Sequence, residues 1–296
     1  MLLLSPVVLS CVGCKQDAQT KDLGPVDVIV ISGQSNAVGC SSSAGIKTAF
    51  SISKYNEFEA GYDEIKISYD CWTKDGFDTG RYSYFSQNSS NNKFVPVKLG
   101  QGNNTDNFGP EIGIAEALHE KYANKLFIIK FACGASNLRD DWTQRDSEMY
   151  PRLVKYVNKA MGKLVKKGYQ PTIKAFCWMQ GEGDTYSATY HAHYKENLIT
   201  FVGHVREDFA KYAGDREITF VDAKICPGQW TFWAEVNIAK RQFSEMSDNN
   251  LLIDSIQEGL TLGSDNAHFD SRSQVELGHL FAENFEPFLM ETEEVE

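Results

Sequence analysis

The sequence predicts an α/β fold, a parallel sheet with helices on both faces. Three observations predict it. Apolar, β-branched runs recur along the chain and read as strands buried on both sides. Stripes of apolar residues spaced by three or four separate those runs and read as amphipathic helices. Short right-handed crossovers between such elements build one parallel sheet, and the chain has no internal repeat and no second core.

The first strand is Val26-Asp27-Val28-Ile29-Val30-Ile31. It stops at Gly33-Gln34-Ser35-Asn36-Ala37-Val38-Gly39, which puts Ser35 at its carboxyl end, the edge where ligands bind in open α/β sheets. From Cys40 to about Asn107 the chain is rich in Ser, Asn, Gly, Tyr and Lys. Two alternating pieces there, Ile65–Tyr69 and Phe94–Val97, read as hairpin strands. The region is too poor in aliphatic residues for its own core, so it is expected as an insertion on the substrate side of the sheet. Gly109-Pro110-Glu111 opens a helix, because proline suits the first turn and Glu111 the positive end of the dipole. Leu126–Ala132 is the second strand and ends in the small-residue turn Gly134-Ala135-Ser136. Pro151 starts a helix that Gly168 terminates. Ile173–Met179 is the third strand and delivers Gln180-Gly181-Glu182 to the same edge. Tyr190 to Phe209 carry the buried stripe of one long helix ending near Gly214, Glu217–Ile225 reads as the fourth strand and Leu251–Asp254 as the fifth. Trp230, Phe232 and Trp233 lie on the serine side, where packing is favoured over stacking on a ligand.

A serine becomes a nucleophile when a histidine and a carboxylate reach it. Asp265-Asn266-Ala267-His268 supplies both just ahead of the last helix. The three-residue spacing lets Asp265 hold Nδ1–H of His268 and leaves Nε2 for Ser35. His191 and His193 point apart on a helix, and no metal-ligand pattern is present.

These residues carry a resemblance. Gly33-Gln34-Ser35-Asn36, Phe108-Gly109-Pro110-Glu111, Ala132–Leu138, Trp178–Asp184 and Asp265/His268 occur in the order found in the SGNH (GDSL-like) hydrolases. The glutamine in the first block resembles the branch of sialate O-acetylesterases and family-six carbohydrate esterases (acetyl xylan esterases). The resemblance implies a three-layer α/β/α fold with a flavodoxin-like, five-stranded parallel sheet in the order 2-1-3-4-5. It implies a serine esterase acting on O-acetylated carbohydrate, with Ser35, Asp265 and His268 catalytic. The oxyanion donors would be the Ser35 and Gly134 amides and the Gln180 side chain. Gln34, Asn36 and Glu182 would support the site, and no metal or cofactor is implied. The family pattern has two adjacent glycines where this chain has Gly134-Ala135. Another acyl chemistry (lipid esterase, thioesterase or transacetylase) and a non-catalytic carbohydrate binder remain as alternatives.

Composition bounds the partners. The 296 residues are 42% hydrophobic and 23% charged, with a net charge of −11. That charge disfavours nucleic acid and anionic membrane surfaces. The apolar start, Met1 to Cys14, is too short to span a membrane and resembles an export signal. Cys11 or Cys14 could receive a lipid anchor. Residues 1–25 are thus expected as signal and tether, and 26–296 as the hydrolase domain with its insertion at about 40–107. The expected location is periplasmic, surface-anchored or secreted. The remaining cysteines are not a disulfide framework, Cys40–Cys71 being the one candidate bridge.

Overall fold

The computed structural model describes residues 21–290. The export-like segment and its two cysteines lie outside the described residues. Eight strands form the main sheet. They are β1 (Gly24–Gly33), β2 (Tyr62–Asp75), β3 (Ser83–Ser89), β4 (Val95–Val97), β5 (Leu126–Gly134), β6 (Tyr169–Met179), β7 (Thr219–Ala223) and β8 (Asn250–Ile253). The helices that matter for the site are α1 (Ser35–Val38), α2 (Glu111–Leu118), α3 (Tyr150–Lys167), α4 (Tyr194–Asp208), α5 (Trp233–Ser244) and α6 (Ser271–Phe285).

The sheet runs β8-β7-β6-β1-β5-β2-β3, with β4 also paired to β2. The five strands read from the sequence are therefore contiguous, with β1 between β5 and β6. Val28, Ile29, Val30 and Ile31 of β1 are fully buried, as a central parallel strand requires. β5 to β6 steps across β1 in the opposite direction to β1 to β5, so right-handed crossovers place the intervening helices on opposite faces. α2 packs against α6, and α4 against α5. The result is a mixed α/β fold around a central, mostly parallel sheet.

The expected five-stranded sheet is too small. β2 pairs in parallel with β5 from Lys66↔Phe127 to Thr73↔Gly134 and adds a sixth parallel strand. Ile65 and Ile67 are fully buried there, so a region read as an insertion without a core extends the main one. The pieces read as hairpin strands do pair, as Ile67↔Val95 and Lys66↔Pro96, but on the edge of the main sheet. β2 then continues past them and turns back as β3. The helix expected from Tyr190 to Phe209 is broken at His193, separating Ala188–Ala192 from α4. The candidate bridge is absent: Cys40 and Cys71 are both free thiols. Cys71 instead turns its Sγ toward the Val38 and Gln101 carbonyls.

A buried ion pair fastens the serine turn to this frame. Lys130 of β5 has all three donors engaged, by Glu111 Oε2 at 2.8 Å, Val38 O at 3.0 Å and Gln101 O at 2.7 Å. Both charged side chains are fully buried. A buried charge is tolerable when every donor finds an acceptor, and removing one partner of such a pair typically costs about 3–5 kcal/mol.

Candidate active site

Three strand ends meet where β1 stops. Gly33 is level with Ala132 of β5 on one side and Met179 of β6 on the other. The register therefore brings Ser35, Gly134 and Gln180 to one edge. Gly33 has φ +138°, and a Cβ there would lie 2.0 Å from Met179 O, so only glycine makes this turn. Ser35 is the first residue of α1, and the leading amides of a helix have no intrahelical acceptor.

Asn36 couples the serine to the distant parts of the site. Its Nδ2 donates to Glu182 Oε1 at 2.8 Å and to Ala267 O at 3.4 Å, and its Oδ1 accepts from the Phe269 amide at 3.1 Å. The residues on either side of His268 are thus tied to the residue after Ser35. Glu182 is buried, and burial raises its carboxyl above the usual range. Its Oε1 holds Asn36.

Asp265 fixes the histidine. Its Oδ2 lies 2.6 Å from His268 Nδ1, while Oδ1 accepts the Ala267 and His268 amides, each at 3.0 Å. Burial alone would raise the Asp265 carboxyl, but these hydrogen bonds outweigh it and hold the group below the usual carboxylate range. The ring is thereby oriented with Nε2 away from Asp265. Ser35, Gly134 and His268 all line one cleft of about 710 Å³. Among the described residues no hydrogen bond joins Ser35 to His268; catalytic hydrogen bonds are often long until the Michaelis complex forms.

Gln180 is not placed to donate to an oxyanion. The residue is fully buried and does not line the cleft. Its Nε2 already donates to Gln34 Oε1 at 3.1 Å and to Asp184 Oδ2 at 2.7 Å, and its Oε1 accepts from Tyr194 OH at 3.0 Å. Two amide hydrogens with two buried acceptors leave nothing for substrate. Asp184 also accepts from the Leu138 amide, and burial pushes its carboxyl up to about 6.

The side chain that faces the cleft is Gln34. Three donors converge on its Oε1: the Gly181 amide at 3.2 Å, the Gly183 amide at 3.0 Å and Gln180 Nε2 at 3.1 Å. Only an oxygen can accept all three, so the orientation of this amide is fixed by its neighbours. Its NH₂ group is the end left over. Sequence reading placed both glutamines at the right edge but cannot tell which side chain turns inward.

Gly134 borders the serine, a Cβ built on it lying 4.0 Å from Ser35 Cβ. Ala135 has φ +60°, the left-handed region. That accounts for the glycine of the family pattern at this position, since alanine there costs about 1 kcal/mol.

The mouth of the cleft holds residues beyond those expected at the site. Phe77 and Tyr82, at the tip of the β2–β3 hairpin, stand with ring centroids 5.3 Å apart. Tyr186 meets Trp230 at 5.5 Å on another part of the lining. Phe77 and Tyr82 had as their only signal aromatic side chains inside a polar stretch. Trp230 is buried, as its expected packing requires, and also contributes to the lining. Phe232 instead stacks on His191 at 4.0 Å.

A family model described as "carbohydrate esterase, sialic acid-specific acetylesterase" matches residues 25–286. The chain belongs to this family. The enzyme is thus a carbohydrate O-acetylesterase. Solved structures agree in fold. A protein of Arabidopsis thaliana is similar with a TM-score of 0.62 at 20% identity, over 90% of this chain and 100% of that one. NanS is similar with a TM-score of 0.56 at 16% identity, over 89% and 97%. A carbohydrate acetylesterase from Xanthomonas citri gives 0.50 at 14% identity, over 89% of this chain and 56% of that one. A search of curated proteins finds no match. No helix among the described residues is long and apolar enough to cross a membrane.

Proposed function

We propose that the enzyme removes O-acetyl groups from carbohydrate through an acetyl-enzyme on Ser35. The observation that carries this reading is the Asp265–His268 pair, joined at 2.6 Å, on the cleft that Ser35 lines. Ser35 Oγ attacks the acetyl carbonyl carbon while His268 Nε2 takes its proton. Asp265 holds Nδ1–H and stabilises the imidazolium. The tetrahedral oxyanion is held by the Ser35 and Gly134 amides and, in place of Gln180, by the Gln34 side-chain NH₂. Preorganised donors of this kind are the largest single term in many acyl transfers. Collapse breaks the bond to the sugar oxygen, which takes the proton from His268. Water, deprotonated by the same imidazole, then attacks the acetyl-serine; the bond to Ser35 Oγ breaks, His268 returns the proton to that oxygen, and acetate leaves.

The strand order supports reading the scaffold as the flavodoxin-like three-layer arrangement of the SGNH hydrolases. The apolar start of the sequence supports an exported enzyme, with Cys11 or Cys14 as the residue that a lipid would modify.

The test is acetate release from an aryl acetate and from acetylated sugars by wild type and Ser35→Ala. The variant should fold with wild-type circular dichroism and lose at least about 10⁴ in turnover. Wild-type rates from Ser35→Ala would remove the serine from the mechanism.

A further inference from the structure

The family is described by its action on sialic acid, a sugar that carries an ionised carboxylate at neutral pH. Carboxylates are usually recognised by a guanidinium or ammonium free to pair with them. The cleft offers one lysine, Lys74, among its described lining residues. That lysine is committed. Its Nζ lies 2.9 Å from Asp141 Oδ2 and 3.2 Å from Oδ1, with the two side chains 2% and 1% exposed. Asp141 is held in turn by Tyr84 OH and by the Asn137 amide. Lys74 also sits 4.3 Å from the centre of the Tyr82 ring, so it braces an aromatic wall. Outside the lining, Arg139 lies against the Tyr190 ring and 3.9 Å from Asp140, and Arg81, beside Tyr82 on the hairpin tip, is exposed. The net charge of −11 adds long-range repulsion of anions.

What the cleft offers instead is rings and amides. Phe77 is 54% exposed, Tyr82 51% and Tyr186 64%. Large apolar side chains left in solvent around a cleft mark a binding surface more than a core. The rings form two pairs, Phe77–Tyr82 on the hairpin and Tyr186–Trp230 on the loops that follow β6 and β7. Gln87, Asn103 and Gln229 add uncharged polar groups to the lining. An aromatic face matches the C–H face of a pyranose, and carboxamides match its hydroxyls.

We propose that the acetylated sugar this site takes is neutral, held between the two aromatic pairs, and not an acidic sugar. This rests on the esterase reading above and narrows it.

The experiment compares kcat/KM on an acetylated xylo-oligosaccharide, an O-acetylated sialic acid and an aryl acetate. The neutral sugar should be preferred over the acidic one by at least about tenfold, the discrimination expected when a charge has no partner. Phe77→Ala and Tyr186→Ala should each raise KM for the oligosaccharide by about three- to tenfold relative to their effect on the aryl acetate, the range of one aromatic contact. Melting temperatures of both variants check that the fold is kept. Preference for the sialic acid overturns the proposal, as does cleavage of the aryl acetate with neither sugar. Unmoved KM values in both variants overturn the aromatic assignment. Loss of all three activities in wild type would instead sink the esterase reading.

Discussion

The back wall of the site and the mouth of its cleft are built on opposite principles. At the back, Gln34, Asn36, Gln180, Glu182 and Asp184 are buried polar side chains, and the hydrogen bonds described above link them to one another, to main-chain amides or to the histidine loop. Around the mouth, Phe77, Tyr82 and Tyr186 are half exposed, and each contacts other rings or the Lys74 ammonium. A buried polar group that goes unpaired costs stability, so this densely hydrogen-bonded wall, in which Glu182 Oε2 is a buried atom without a partner, favours one arrangement. Exposed rings carry no such constraint. The difference separates two tasks: the wall holds the reacting groups in place, while the mouth selects which sugar is presented to them.

The comparison breaks first at Gln34. Gln34→Ala should lower kcat by about 10²–10³, the usual cost of one oxyanion donor. KM for the aryl acetate should move far less, because the contact is made to charge that develops only in the transition state. An equal effect on KM and kcat would assign Gln34 to substrate binding instead.

Asp184 probes how firmly the wall is fixed. Its folded value of about 6 lies above the ordinary 3.8, owing to burial. A carboxyl with a raised value binds its proton more tightly when folded, so its stabilisation is full below about pH 4 and is lost as pH rises through 6. Relative to Asp184→Asn, wild type should therefore lose on the order of 3 kcal/mol between pH 4 and 7. Denaturant melts of both proteins across that range measure it. A constant gap would mean that Asp184 is ionised throughout.

Much of this was legible in the sequence, for physical reasons. β1 announces itself because a strand buried on both faces must be apolar along its length. Ser35, Gly134 and the Asp265–His268 pair follow from strand ends and a short spacing. β2 was missed as a core strand because only Ile65 and Ile67 in it are aliphatic, and its register on β5 is a long-range fact. Gln34 and Gln180 are the same residue type at the same sheet edge. Which one turns to the cleft is decided by Asp184, Tyr194 and the Gly181 and Gly183 amides, the last two reaching Gln34 from 147 and 149 residues away. The helix break at His193 belongs with these, since α4 begins at Tyr194, whose hydroxyl donates to Gln180 Oε1.

The central claim is that the acetyl group passes through Ser35. Its most direct test is to quench wild-type enzyme with acid during turnover of an aryl acetate and map the acetyl group by mass spectrometry. The account predicts acetylation of the Ser35 peptide in wild type and none in Ser35→Ala. Acetylation at another residue, with Ser35 unmodified while acetate is being released, would contradict it.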